Sequence, residues 1–146
     1  MRTVRDKSGR TYVLVKRSGE EWLVRDPETG RETYRPVAEF DVVDDEPPLA
    51  VAANAVTQPI RTVLTAVRTE RALGLLVELD RDGPLSVRTL LDRYEYCESD
   101  LHGQLAEFRA ADLIEERRVA GERGYVTTDD AGEAITMLTV DQFQAT

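Results

Sequence analysis

An α+β fold is predicted, in which an N-terminal antiparallel β-meander precedes a mostly helical domain. Three observations lead there. Before residue 47 the apolar residues fall in short β-branched and aromatic runs separated by turn signals. From residue 49 onward they recur at the three- and four-residue spacing of helices. Between residues 113 and 127 that periodicity gives way to a charged hairpin pattern.

In chain order, Thr11-Tyr-Val-Leu-Val15 and Trp22-Leu-Val24 read as strands, and Arg31-Glu-Thr-Tyr-Arg35 as a weaker one. Lys7-Ser-Gly9, Arg17-Ser-Gly19 and Asp26-Pro-Glu-Thr-Gly30 supply the turns, the proline setting the last of them and Gly30 a positive φ. Three or four short strands result, a sheet too small to be stable with nothing packed on it. Asp44-Asp-Glu-Pro-Pro48 joins a charge run to a proline pair that neither helix nor sheet accommodates, so the β domain is placed at residues 1–46. Residues 47–69 are read as connecting and dimerisation helices. There, Leu49 to Val56 is alanine-rich, and Thr57-Gln-Pro59 restarts a helix with the apolar stripe Ile60, Val63, Leu64 and Val67. The stripe slips phase near Thr69 and resumes as Ala72, Leu75, Leu76 and Leu79, which predicts a kink or a break.

Residues 70–146 form the remaining domain. Asp82-Gly-Pro84 stops the first helix, and Ser86 caps a short one with Val87, Leu90, Leu91 and Tyr94 as its core residues. Glu95-Tyr-Cys97 is a tight turn, after which a helix carries Leu101, Leu105 and Phe108 at buried-face spacing. Leu113 to Val119 reads as a strand, Ala120 to Gly124 as a turn and Tyr125-Val-Thr127 as the return strand. Thr128 caps a last helix, with Asp129 and Asp130 at its positive end and Ala131, Ile135 and Leu138 on one face.

Composition bounds what such a chain can do. With 146 residues, 41% of them hydrophobic, it can bury one ordinary core and a small appendage. No apolar run approaches the ~20 residues that span a bilayer. The N-terminal Met1-Arg-Thr-Val-Arg5 lacks the apolar centre of a signal peptide, so a soluble cytoplasmic protein is expected. A single cysteine, Cys97, and a single histidine, His102, exclude an intramolecular disulfide and argue against zinc, which needs about four such ligands. No metal, no cofactor and no catalysis are expected: Cys97 and His102 are close in sequence, but no third group orients them. The net charge is -9, and only Lys7 and Lys16 among the 19 basic residues are lysine. Such an acidic, lysine-poor chain fits the salt-rich cytoplasm of a halophilic archaeon, where ionic strength screens self-repulsion. A GC-rich genome favouring arginine codons would give the same bias.

Ser99-Asp-Leu-His-Gly-Gln-Leu105 followed by Leu113-Ile-Glu115 is similar to a recognition helix running into a wing, and Gly124-Tyr-Val-Thr-Thr128 before Gly132 to a wing leading into a last helix. Over about residues 70–140 the chain resembles the winged helix-turn-helix transcription regulators of the MarR, PadR and ArsR type, small haloarchaeal ones in particular. The resemblance implies a DNA-binding regulator whose third helix enters the major groove and whose hairpin lies against the backbone or minor groove. It also implies a homodimer on double-stranded DNA, paired through the helices around Leu49 to Val67 and Ala131 to Phe143. The N-terminal sheet lies outside the resemblance.

Projection of residues 98–110 at 100 degrees per residue, with Leu101, Leu105 and Phe108 inward, puts the small residues Ser99, Gly103, Ala106 and Ala110 outward. Asp100 and Glu107 flank that stripe on one side, His102 and Arg109 on the other. Base readout would rest on Ser99, His102 and Gln104, with Glu98 or Asp100 able to accept from cytosine. Phosphate contacts would fall to Arg88 and Arg93 on the preceding helix and to Arg117, Arg118 and Arg123 on the hairpin. Residues 82–127 nevertheless hold six basic against ten acidic residues, a net of -4, where a DNA-binding domain is usually basic. The rival reading is a winged helix that docks another protein, since a stripe of small residues lets a second helix approach closely. Trp22 and Tyr34 are read as packing of a thin sheet, and Asp44-Asp45 and Glu115-Glu116 as solvated surface.

Overall fold

The structure is a computed structural model that describes residues 1–139. The fold is α+β and divides into two compact units, Met1–Thr57 and a second beginning at Gln58. No helix among the described residues is long and apolar enough to cross a membrane.

In the first unit, β1 (Arg2–Asp6), β2 (Thr11–Ser18), β3 (Glu21–Arg25), β4 (Glu32–Pro36) and β5 (Phe40–Val43) form one antiparallel sheet in the order β4-β3-β2-β1-β5. The meander therefore runs outward from β1, and the fifth strand returns to pair β1 on its other edge, Val4 opposite Val42. A register shift between Leu14 and Lys16 bends β2, as an extra residue in one strand does. Val4, Leu14, Val24 and Phe40 form the core, with Tyr12, Trp22 and Val42 against it. The short helix α1 (Pro48–Ala52) lies on β1 and β2 and buries Val51 completely. That packing carries the first unit past the acidic Pro47-Pro48 segment to Thr57, so the unit is longer than the 46 residues suggested by composition. The sheet also has one strand more than the largest number expected, since β1 and β5 are too polar and too short to stand out in sequence.

The second unit contains α2 (Gln58–Ala66), α3 (Glu70–Asp82), β6 (Leu85–Ser86), α4 (Val87–Arg93), α5 (Glu98–Ala110), β7 (Ile114–Val119), β8 (Glu122–Thr127) and α6 (Asp129–Leu138). Side-chain hydroxyls open three of its helices: Thr69, Ser86 and Thr128 accept from the backbone N–H of Ala72, Thr89 and Ala131, each satisfying a donor that the first turn leaves free. The phase slip at Thr69 is a full break between α2 and α3. Leu76, Leu79, Leu90, Leu101, Leu105, Phe108, Leu113 and Ile135 fill one core.

The small sheet runs β6-β8-β7, and Gly124 makes its centre possible. A Cβ at Gly124 would stand 2.7 Å from the Leu85 carbonyl oxygen and 2.9 Å from that of Arg117, so a side chain there would push the outer strands away. The hairpin turn is tighter than the five residues expected. Ala120 and Gly121 both take positive φ, 51° and 81°, as the central pair of a two-residue hairpin connection must, and pairing extends to Val119 opposite Glu122. Leu138, expected on the buried face of the last helix, is half-exposed, and Phe143 lies outside the described residues.

Candidate functional site

Helix α5 is anchored by Leu101, Leu105 and Phe108, all essentially inaccessible, which fixes the rotation of its other faces. Ser99, Gly103, Ala106 and Ala110 are all exposed. A Cβ at Gly103 would meet nothing within 4 Å, so the stripe is open surface and not a packing seam. The N-terminal end of the helix binds itself: Cys97 Sγ lies 3.4 Å from Ser99 Oγ, and His102 Nε2 lies 3.7 Å from Glu98 Oε1 one turn away. Gln104 is half-buried on the flank facing α3.

Almost every expected phosphate ligand is already held by a neighbour. Arg88 of α4 reaches Glu122 of β8 at 3.6 Å. Glu116 of β7 sits between Arg109 of α5 at 3.7 Å and Arg123 of β8 at 3.3 Å, bracing the hairpin against the helix. Arg117 pairs with Glu115 at 3.2 Å. Arg118 donates to the Gly121 carbonyl at 2.7 Å across the turn and has no carboxylate partner among the described residues. Arg93 points elsewhere, lying 3.4 Å from Asp82 at the end of α3. Arg118 and Arg123 share the hairpin face of Glu116, next to Arg109 of α5, whereas Arg117 and the Glu122 that holds Arg88 lie on the opposite face of the hairpin. Arg93, Ser99 and Gln104 are not paired with any of these residues.

Two residues that sequence reasoning passed over lie on the opposite flank of α5. An open groove of about 440 Å³ is lined by Thr69, Arg71, Tyr96, Gly103, Gln104 and Glu107, among others. A neighbouring one of about 330 Å³ is lined by Ala66, Arg68, Glu107, Ala110 and Ala111. The Arg71 guanidinium stacks 3.8 Å from the centre of the Tyr96 ring and donates to the Glu95 carbonyl, so it ties α3 to the turn that starts α5. Beside it, Tyr94 donates to Glu78 at 3.1 Å; burial, reinforced by that carboxylate, pushes its phenol above the ordinary value. The only sign of Arg68 and Arg71 in the sequence was the phase slip at Thr69, which marks a junction but not what the junction faces.

The profile of a family described as "Family of unknown function (DUF7346)" matches residues 1–139, both units included. The chain belongs to this family. No curated protein matches the sequence. In this DUF7346 chain, no cluster of three or more His, Cys, Asp or Glu among the described residues is placed to hold a metal ion. The second unit also carries an apolar groove of about 320 Å³ lined by Val63, Leu64, Val67, Leu73, Val77 and Leu138, among others. Leu64 is 62% exposed, and Leu73, Met137 and Leu138 are each at least 39% exposed.

Proposed function

We propose that the second unit is a winged helix-turn-helix and that the protein is a non-catalytic transcription regulator binding duplex DNA as a homodimer. The observation that carries this reading is the set of arginines on α4, α5 and both faces of the hairpin, whose guanidinium groups are held only by exposed partners. Exposed ion pairs are worth about 0–1 kcal/mol, so a phosphate can replace Glu115, Glu116 or Glu122 with little penalty, and charge-assisted contacts to phosphate are the stronger ones. In this arrangement α5 lies in the major groove, with Ser99, His102 and Gln104 nearest the bases. The arginines of α4 and the hairpin hold the backbone and carry more of the affinity than α5 does, since α5 presents few long donors outward. Screening at high salt, to ~3 Å at 1 M, leaves the local arginines effective while distant carboxylates cease to repel.

Dimerisation fits the apolar groove of α2, α3 and α6. Contiguous exposed apolar surface on a small protein marks an interface, and two-fold pairing would cover Leu64 and Leu138. A protein-docking role is the second reading, favoured by the exposed small-residue stripe of α5. Mobility-shift assays on genomic DNA at high potassium chloride, comparing wild type with Arg117→Ala/Arg118→Ala, separate the two. A shift that weakens in the double variant is expected. No shift at any salt, or one indifferent to the hairpin arginines, removes the DNA reading.

A further inference from the structure

The hairpin meets α5 through Glu116 and Arg109, on one side of the helix only, whereas a helix in the major groove has a phosphate strand on each side. The structure supplies cations for the other side. Along α5, His102 and Arg109 lie on the hairpin flank, and Asp100, Gln104 and Glu107 on the flank facing the α2–α3 junction. That junction carries Arg68 and Arg71. Arg68 is exposed, and among the described residues it has neither a hydrogen bond nor an ion pair. The nearby Arg71 spends one contact on the Glu95 carbonyl and one face on Tyr96. No carboxylate of a described residue pairs with either, in contrast to Arg88, Arg109, Arg117 and Arg123.

We infer that Arg68 and Arg71 form a second phosphate-binding edge, so that α5 is clamped from both flanks and not from the wing alone. This rests on the duplex-DNA reading above and adds to it the side of the site that the sequence did not reveal. Arg68 contributes a freely presented charge, and Arg71 a guanidinium already oriented by the Tyr96 ring. Asp100 and Glu107 lie between this edge and the small-residue stripe. A carboxylate there is repelled by phosphate but can accept from the cytosine amino group, which sorts the two kinds of charge between backbone and base edge.

The test is fluorescence anisotropy of a labelled mixed-sequence duplex titrated with the full chain over a series of potassium chloride concentrations. The variants are Arg68→Ala, Arg68→Lys and Arg68→Ala/Arg71→Lys, with Arg117→Ala/Arg118→Ala for comparison. Each lost phosphate contact lowers the slope of log affinity against log salt by about 1. Arg68→Ala is expected to weaken binding several-fold with that loss of slope, and Arg68→Lys to restore both. Circular dichroism should be unchanged, because Arg68 touches nothing that holds the fold. If wild type binds and depends on Arg117 and Arg118, yet Arg68→Ala and the Arg68/Arg71 double variant keep its affinity and slope, the second edge is refuted while the DNA reading stands. Absence of any wild-type binding overturns both.

Discussion

In the first unit, Arg35 shows how single residues hold a thin sheet. Its guanidinium lies 5.3 Å from the Tyr12 ring centre and 4.7 Å from that of Phe40, while it pairs with Glu39 at 2.8 Å and Asp6 at 3.7 Å. Asp6 is the more telling group. The Ser8 hydroxyl first, and then the backbone N–H groups of Arg10 and Ser8, hold its carboxyl below the ordinary value. The charged form is thus favoured by folding, so its stabilisation is present above the unfolded carboxyl pKa of ~3.9 and fades as pH falls through the lower folded value. Asp6→Asn should therefore lower the unfolding midpoint of the first unit at neutral pH, and the gap from wild type should close in acid; a gap constant with pH would contradict this. Thr3 makes the opposite case. It is buried, and its Oγ has no hydrogen-bond partner, so Thr3→Val should stabilise by roughly 1 kcal/mol in urea unfolding, and a loss would show that the hydroxyl is satisfied. The Thr3 role was not legible in the sequence, because it depends on what the β1–β5 and β1–β2 pairings bring near. The Asp6 role, although its donors lie only two and four residues ahead, was not read from the Lys7-Ser-Gly9 turn. The caps were legible, since Ser86 and Thr128 act on backbone only three residues ahead.

Elements with local causes were readable, and those with remote causes were not. The start of α5 after Cys97, the stop of α3 at Asp82 and the buried row of Leu101, Leu105 and Phe108 follow from spacing and turn residues. The two-residue strand β6 does not, since Leu85 and Ser86 are a strand only because β8 lies beside them. The same holds for the hairpin turn: a glycine at residue 124 looked like turn chemistry but serves close packing between strands, which moved the real turn to Ala120 and Gly121. Gly124→Ala tests this. The added methyl meets backbone on both sides, so a loss of roughly 1–3 kcal/mol is expected in chemical unfolding, with the β6-β8 pairing weakened first. A neutral result would mean that the strands can separate to admit it. By the same criterion Gly103, where added atoms meet open space, is an element-scale glycine that the fold does not require.

At the scale of the whole molecule, an acidic chain carries a local arginine surface and an exposed apolar face, and the two make separate claims. The apolar face predicts a dimer: Leu64→Glu together with Leu138→Glu should convert a wild-type dimer to monomer in sedimentation equilibrium, and a wild type already monomeric would remove the two-fold arrangement. The arginine surface predicts anion exchange. The division into two units was foreshadowed by the proline pair, but its place was set by the packing of Val51, which composition cannot report. The central claim is that phosphate displaces carboxylates from the arginines around α5, and Glu116, shared by Arg109 and Arg123, is where it is most exposed to test. The decisive measurement is the affinity of Glu116→Gln for duplex DNA over a potassium chloride series, beside wild type and Arg117→Ala/Arg118→Ala. Tighter binding by Glu116→Gln and weaker binding by the double variant are predicted. Equal affinity of all three, or no binding by any, would contradict the account.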